Sequence, residues 1–156
     1  MPQGFHSITP YIVVRGAAEA IEFYKRAFDA VERYRLPGSD GKTIGHAEIT
    51  IGDSILMLAD EFPDFGAFAP QSLKGSPVRL CLYVENVDVS FKRAIEAGAT
   101  VIEPVNDKFY GDRSGCLTDP YGHLWTLMTH KEDVSAEEMK RRLVDVYSKM
   151  DSARTE

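Results

Sequence analysis

The chain has 156 residues, 44% hydrophobic and 27% charged, enough for one globular domain or for two small modules sharing a core. A formal net charge of −6 argues against general nucleic-acid binding and against an anionic membrane surface, since both need a basic face; a small anion held by one or two arginines stays open. Cys81 and Cys116 form no CxxC pair, "MPQGFHSITP" lacks a signal peptide's basic and apolar regions, and no apolar run reaches membrane-spanning length, so a cytoplasmic protein with two reduced, mostly buried thiols is expected.

In chain order, "ITPYIVV" (8–14) reads as a strand and "AAEAIEFYKRAFDA" (17–30) as an amphipathic helix. Three strand-like runs follow: "AVERYRL" (30–36), "IGHAEITIG" (44–52) and "SILMLAD" (54–60). The order then repeats: "VRLCLYV" (78–84) is a strand and "VDVSFKRAIEAGA" (87–99) a helix, followed by "TVIEP", "SGCLTD" and "HLWTLMT". "KRAFDA" at 25–30 returns as "KRAIEA" at 92–97, 67 positions on, which makes duplication the economical reading. The expected fold is therefore α+β, two βαβββ modules of about 6–60 and 77–130 within residues 1–134, each sheet backed by one helix. The linker (61–76) carries Phe62, Phe65 and Phe68, so it is expected to pack over the core or over a pocket mouth. Residues 135–156 form a C-terminal helix and tail. Ser135 and Glu138 suggest a capping box, and Met139, Leu143, Val146, Tyr147 and Met150 make an apolar stripe that must be buried somewhere.

Alternation within the strands sorts the residues by face. Ala47, Ile49 and Ile51 alternate with His46, Glu48 and Thr50, and Leu80, Leu82 and Val84 alternate with Arg79, Cys81 and Tyr83. The candidates for a polar-lined groove are Thr9, Tyr11, His46, Glu48, Met57, Arg79, Tyr83 and Thr126. Arg79 is the most pointed of them, a fixed cation suited to a carboxylate or phosphate, although pairing with Glu48 is an equal alternative. His46 and Glu48, two apart on one strand, point to one face and could share proton transfer; His46 as a hydrogen-bonded residue at the edge of the core is the plainer reading. "FYGDRSG" (109–115) is read as structural, with Gly111 and Gly115 marking tight backbone geometry. Asp119, His123 and His130 are read as turn and rim residues. Cys116 and Ser114 have no identifiable base for covalent catalysis.

The two modules, "EFYKRAF" in the first helix and "DPYGHLW" entering the last strand together resemble the vicinal-oxygen-chelate superfamily, which includes glyoxalase I, extradiol dioxygenases and bleomycin-binding proteins. "GHAEITIGDSILMLADE" with "GDRSGCLTDPYGHLWTL" looks most like its PhnB-like branch. The resemblance covers roughly residues 6–130. It implies half-barrel sheets with helices on the convex face, a ligand site on the concave face and a homodimer. It also implies four metal-ligand positions, which fall on Thr9 and Arg79 in the first strands and on Met57 and Thr126 in the last. Those side chains are not a ligand set, and neither are their neighbours Ile8, Pro10, Leu56, Leu58, Val78, Leu80, Trp125 and Leu127. The expectation is thus a metal-free protein, without a predicted cofactor, that binds a small molecule through Arg79, Tyr11, Tyr83, Met57, Thr9 and Thr126. The alternatives are a glyoxalase-like lyase, isomerase or dioxygenase with an atypical divalent-metal site, or metal-free acid–base catalysis by His46 and Glu48. A regulatory partner acting through the C-terminal helix is a third, weaker reading.

Overall fold

A computed structural model describes residues 2–153, with side chains described as far as residue 148. The chain runs β1 (Tyr11–Val14), α1 (Ala17–Phe28), β2 (Val31–Pro37), β3 (Ile44–Ile51) and β4 (Ser54–Asp60). It continues through α2 (Pro70–Leu73), β5 (Arg79–Tyr83), α3 (Val87–Ala97), β6 (Thr100–Asp107), β7 (Asp112–Thr118), β8 (Leu124–His130) and α4 (Ala136–Ala153). The strands make two open four-stranded sheets of identical topology, β1-β4-β3-β2 and β5-β8-β7-β6. In each, the first strand pairs parallel to the last and the remaining pairs are antiparallel. The strand–helix–three-strand repeat read from the sequence is thus the architecture, and neither sheet closes into a barrel. Among the described residues no helix is long and apolar enough to cross a membrane.

Helix α1 forms because Ala17, Ala20, Ile21, Tyr24, Ala27 and Phe28 recur at helical spacing and are all buried. Its start is fixed from another strand: Asp60 Oδ1 accepts from the backbone N–H of Gly16 and of Ala17, each at 2.8 Å, and Oδ2 accepts from Ile44 N at 2.8 Å. One carboxylate therefore stabilises the helix N-terminus and ties it to β3 and β4. The repeated helices pack on each other, and Arg93 of the second copy donates to Ala27 O (3.1 Å) and pairs with Asp29 (2.5 Å) at the end of the first.

The core is continuous across the modules. Phe28 meets Trp125 of β8 at a ring-centroid distance of 4.6 Å, and Tyr24 meets it at 5.7 Å. Asp119, placed by sequence as a turn residue, is also the hub of this junction. It is 4% exposed; Oδ2 accepts from Tyr24 OH (2.7 Å) and Trp125 Nε1 (2.9 Å), and Oδ1 from the N–H groups of Tyr121 and His123, both at 2.9 Å. His123 Nε2 donates to Val13 O at 2.9 Å, a second tie between the halves.

Three local expectations are corrected. Thr9 precedes β1, which begins at Tyr11, and its hydroxyl donates to His6 O at 3.0 Å. The linker phenylalanines divide: Phe65 is 83% exposed with Phe62 stacked on it at a centroid distance of 4.9 Å, so these two do not cover the core, whereas Phe68 lines a cleft, the other arm of that expectation. In α4 only half of the capping box forms, because Ser135 Oγ accepts from Glu138 N (3.2 Å) while the Glu138 carboxylate turns to Arg141 and Arg142. Met139, Leu143 and Val146 are half-buried and Tyr147 is exposed; the Met150 side chain lies outside the described residues.

Candidate functional site

Strand alternation places the expected residues on the sheet faces turned away from α1 and α3. On the first sheet, Tyr11 lies beside Met57, Met57 beside Glu48 and Glu48 beside Tyr34. The side chains converge on His46. Tyr11 OH lies 3.1 Å from Nδ1 and Tyr34 OH 3.3 Å from Nε2, with the imidazole between the two phenol rings at centroid distances of 5.6 and 5.8 Å. Glu48 is 6% exposed; it accepts from Tyr34 OH at 2.6 Å and pairs through Oε2 with Arg33 at 3.1 Å. His46 Nε2 is 3.7 Å from Glu48 Oε1. The hydrogen bond to the carboxylate raises the Tyr34 pKa above its usual 10, because it favours the protonated phenol, and desolvation raises that of Tyr11.

On the second sheet, Cys81, Thr126, Cys116 and Glu103 lie across the strands in the same way. Here the contacts go through sulfur: Cys116 Sγ is 3.4 Å from Thr126 Oγ1, 3.6 Å from Arg79 Nη1 and 3.8 Å from Glu103 Oε2. Glu103 is held below the usual carboxylate range, first by Lys108. Tyr83 is not in this group; its hydroxyl donates to buried Asp112 at 3.1 Å, whose other oxygen meets His130 Nδ1 at 2.8 Å. Arg113 pairs with Asp88 and Asp107, as the structural reading of "FYGDRSG" expected. Gly111, at φ 99°, would carry a Cβ only 2.2 Å from Glu132 O, which explains that glycine.

Of the expected groove residues, Tyr11, His46 and Glu48 join one hydrogen-bonded group on the first sheet and Arg79 and Thr126 a second on the other; Thr9 and Tyr83 are bonded elsewhere, and Met57 stands beside the first group without a side-chain hydrogen bond in it. The equal alternative for Glu48 resolves against Arg79: its partner is Arg33, and Arg79 has no carboxylate partner among the described residues. A cleft of about 320 Å³ between the modules takes in Thr9, Ile55, Cys81, Tyr83 and Trp125. A second, of about 270 Å³, is walled by Tyr11, Val13, Phe68, Leu73 and His123. Arg33 and Tyr34 were not expected at the site. A bulge between Glu32 and Tyr34 interrupts the alternation of β2, and no period-two count survives it.

The four positions implied as metal ligands do not fit a metal. Thr9 is hydrogen-bonded to backbone, Met57 is a thioether, Arg79 is a permanent cation, and the Thr126 hydroxyl contacts a thiol. Among the described residues no three His, Cys, Asp or Glu side chains are grouped so as to hold an ion.

Residues 4–127 match the family model described as Glyoxalase/Bleomycin resistance protein/Dioxygenase superfamily. The uncharacterized protein Rv0887c of Mycobacterium tuberculosis (strain ATCC 25618 / H37Rv) is 44% identical over 137 residues, 86% of this chain and 80% of that protein. Protein PA1353 from Pseudomonas aeruginosa has a TM-score of 0.65 at 21% identity, covering 81% of this chain and 99% of its own. The PhnB protein from Bacillus cereus gives 0.61 at 22% identity, covering 80% and 99%. At these identities the two structures speak to the fold alone.

Proposed function

The chain belongs to the glyoxalase/bleomycin resistance protein/dioxygenase superfamily, and on that premise we propose that it binds a small acidic molecule without the superfamily's metal. The observation that carries this reading is Arg79, an exposed guanidinium on the open face of the second sheet with no carboxylate partner among the described residues. A guanidinium presents planar paired donors to a carboxylate or phosphate, at one of the positions where the resemblance implies a metal ligand. Tyr83 (62% exposed) lines the cleft between the modules and Tyr11 (48%) the second cleft, both as flat, amphipathic surfaces; Met57 lies beside Tyr11 in its row, and Thr126, 7% exposed, beside Cys81 in the other. Thr9 also lines the cleft between the modules.

The open faces also favour a homodimer. Leu36 is 54% exposed in the row of His46, and a second copy laid over such a face would enclose the ligand. Cys81 and Cys116 are both free, Cys116 buried as expected and Cys81 exposed against expectation; free thiols are in keeping with a cytoplasmic location, and the charge gives no basis for nucleic-acid or membrane partners.

The test is a thermal melt against a panel of small carboxylates and phosphates. A true ligand at a hundred times its Kd adds about 2.7 kcal/mol, a rise of about 5–10 °C for a domain of this size. Arg79→Ala is expected to abolish the rise; a rise that survives that substitution would exclude Arg79 as the anion site.

A second reading has its own support. His46 and Glu48 are joined through Tyr34 in a hydrogen-bonded chain that reaches the exposed Tyr11, an arrangement suited to metal-free acid–base catalysis by a lyase or isomerase.

A further inference from the structure

The hydrogen-bonded chain on the first sheet has a direction. Tyr34 has one hydroxyl proton, and the 2.6 Å contact to the Glu48 carboxylate claims it. Its oxygen can then meet His46 Nε2 only as an acceptor, so Nε2 carries a hydrogen. In the neutral imidazole Nδ1 is then the acceptor, and the group facing it is Tyr11 OH, which donates. Every donor thus points inward, from the half-exposed Tyr11 to the buried Glu48. Arg33 occupies Glu48 Oε2 and leaves Oε1 to the chain.

We propose that Tyr11, His46, Tyr34 and Glu48 are a proton relay in which Tyr11 acts as a metal-free base toward carbon acids, small molecules with a C–H bond next to a carbonyl. This rests on the acid–base reading above and adds which group touches the substrate and where its proton goes. The ligand's C–H bond breaks and its proton joins the Tyr11 oxygen. The Tyr11 proton passes to His46 Nδ1, the Nε2 proton to the Tyr34 oxygen, and the Tyr34 proton to Glu48 Oε1. The C–H electron pair stays on the ligand as an enolate, so one negative charge leaves Glu48 and appears on the ligand. His46 ends neutral with its hydrogen on Nδ1, and reversal returns the proton to carbon. Only protons move, so no oxidant or co-reactant is needed. Tyr11 is the catalytic residue; His46, Tyr34 and Glu48 act through it.

The experiment has two readouts on the full chain. In D₂O, proton NMR follows loss of the C–H signals of pyruvate, acetoacetate and dihydroxyacetone. Wild type is expected to exchange at least one of them tenfold or more faster than buffer, with Tyr11→Phe at the buffer rate and Tyr34→Phe strongly slowed. Nitrogen-15 NMR of the histidines is expected to show the hydrogen of the neutral His46 ring on Nε2 rather than Nδ1, and loss of that preference in Tyr34→Phe, a change that a merely structural tyrosine would not produce. Exchange that persists in Tyr11→Phe but vanishes in His46→Gln, or a wild-type His46 with its hydrogen on Nδ1, overturns the relay and leaves acid–base catalysis standing. Buffer-rate exchange of all three probes by wild type overturns both.

Discussion

The row across the open face of the first sheet reads Tyr11, Met57, Glu48, Tyr34; the matching row of the second reads Cys81, Thr126, Cys116, Glu103. The backbones agree in strand order and pairing, while the chemistry on them shares almost nothing. The first row, with His46 beside it, is knit by O–H···O⁻ and imidazole hydrogen bonds around a buried carboxylate paired with Arg33. The second holds together by sulfur contacts of 3.4–3.8 Å, which are weak, and leaves its arginine without a counter-ion among the described residues. A duplicated scaffold fixes where side chains stand and leaves each face free to diverge. The difference makes the two faces separable by mutation: the first is expected to respond through its buried hydrogen-bonded carboxylate, the second through its arginine.

The largest expected effect comes from cutting the joint that makes the halves one core. Asp119→Ala removes the acceptor for Tyr24 OH, Trp125 Nε1 and two backbone N–H groups, and is expected to cost about 3–5 kcal/mol in urea unfolding. If the halves are one cooperative unit, tryptophan fluorescence from Trp125 in the second and circular dichroism of the whole chain shift together. Separated transitions would show that the shared core does not couple them.

Next comes a paired comparison within the matching rows. Glu48→Ala deprives Tyr34 and Arg33 of their acceptor and is expected to cost about 1–3 kcal/mol. Cys116→Ala, at the same place in the other sheet, removes one sulfur with weak contacts and is expected to cost less than about 1 kcal/mol. Equal costs would mean that the two faces do not differ in the way the geometry suggests.

The repeat was legible in "KRAFDA" and "KRAIEA", because helix ends and apolar spacing are local signals, and so was the order of elements along each half; the order of strands within each sheet depends on long-range pairing and was not read. The inward and outward sorting of His46, Glu48, Arg79 and Tyr83 was legible as well, since alternation survives wherever a strand is regular. Tyr34 and Arg33 were hidden by the bulge in β2, and Glu48's choice of Arg33 over Arg79 could not be read, because pairing between strands is set by the bulge and the register. Asp119 looked like a turn residue and is one; its second carboxylate oxygen reaches Tyr24, 95 positions away, and no local pattern records that.

A smaller effect on stability, but a decisive one for binding, is expected at Arg79. The side chain is exposed and, among the described residues, its one hydrogen-bond contact is to a thiol, so Arg79→Ala is expected to leave the urea midpoint unchanged. The same variant is expected to lose the melting shift given by acidic ligands. A destabilised Arg79→Ala protein would move this arginine into the structural half of the comparison.

A small, pH-dependent effect separates two of the four histidines, His46 and His130. His46 sits between tyrosine hydroxyls, whereas His130 sits between carboxylates, with Nδ1 2.8 Å from Asp112 and Nε2 3.1 Å from Asp133. These hydrogen bonds, Asp112's first, raise the His130 pKa above 6.5 in the folded chain. A raised folded-state pKa means that the folded protein holds the proton more tightly than the unfolded one. The stabilisation is therefore complete below about pH 6.5 and fades as the pH climbs through the folded-state value. His130→Asn should remove that contribution, so the gap in urea midpoint between wild type and variant is expected to be widest below about pH 6.5 and to narrow as the pH rises through the raised folded-state value. Because the ring is half exposed, solvent screens the pair and keeps the gap small. A gap that widened toward alkaline pH would mean that His130 is held by its neutral form, and the carboxylate cage would then not be what fixes the end of β8.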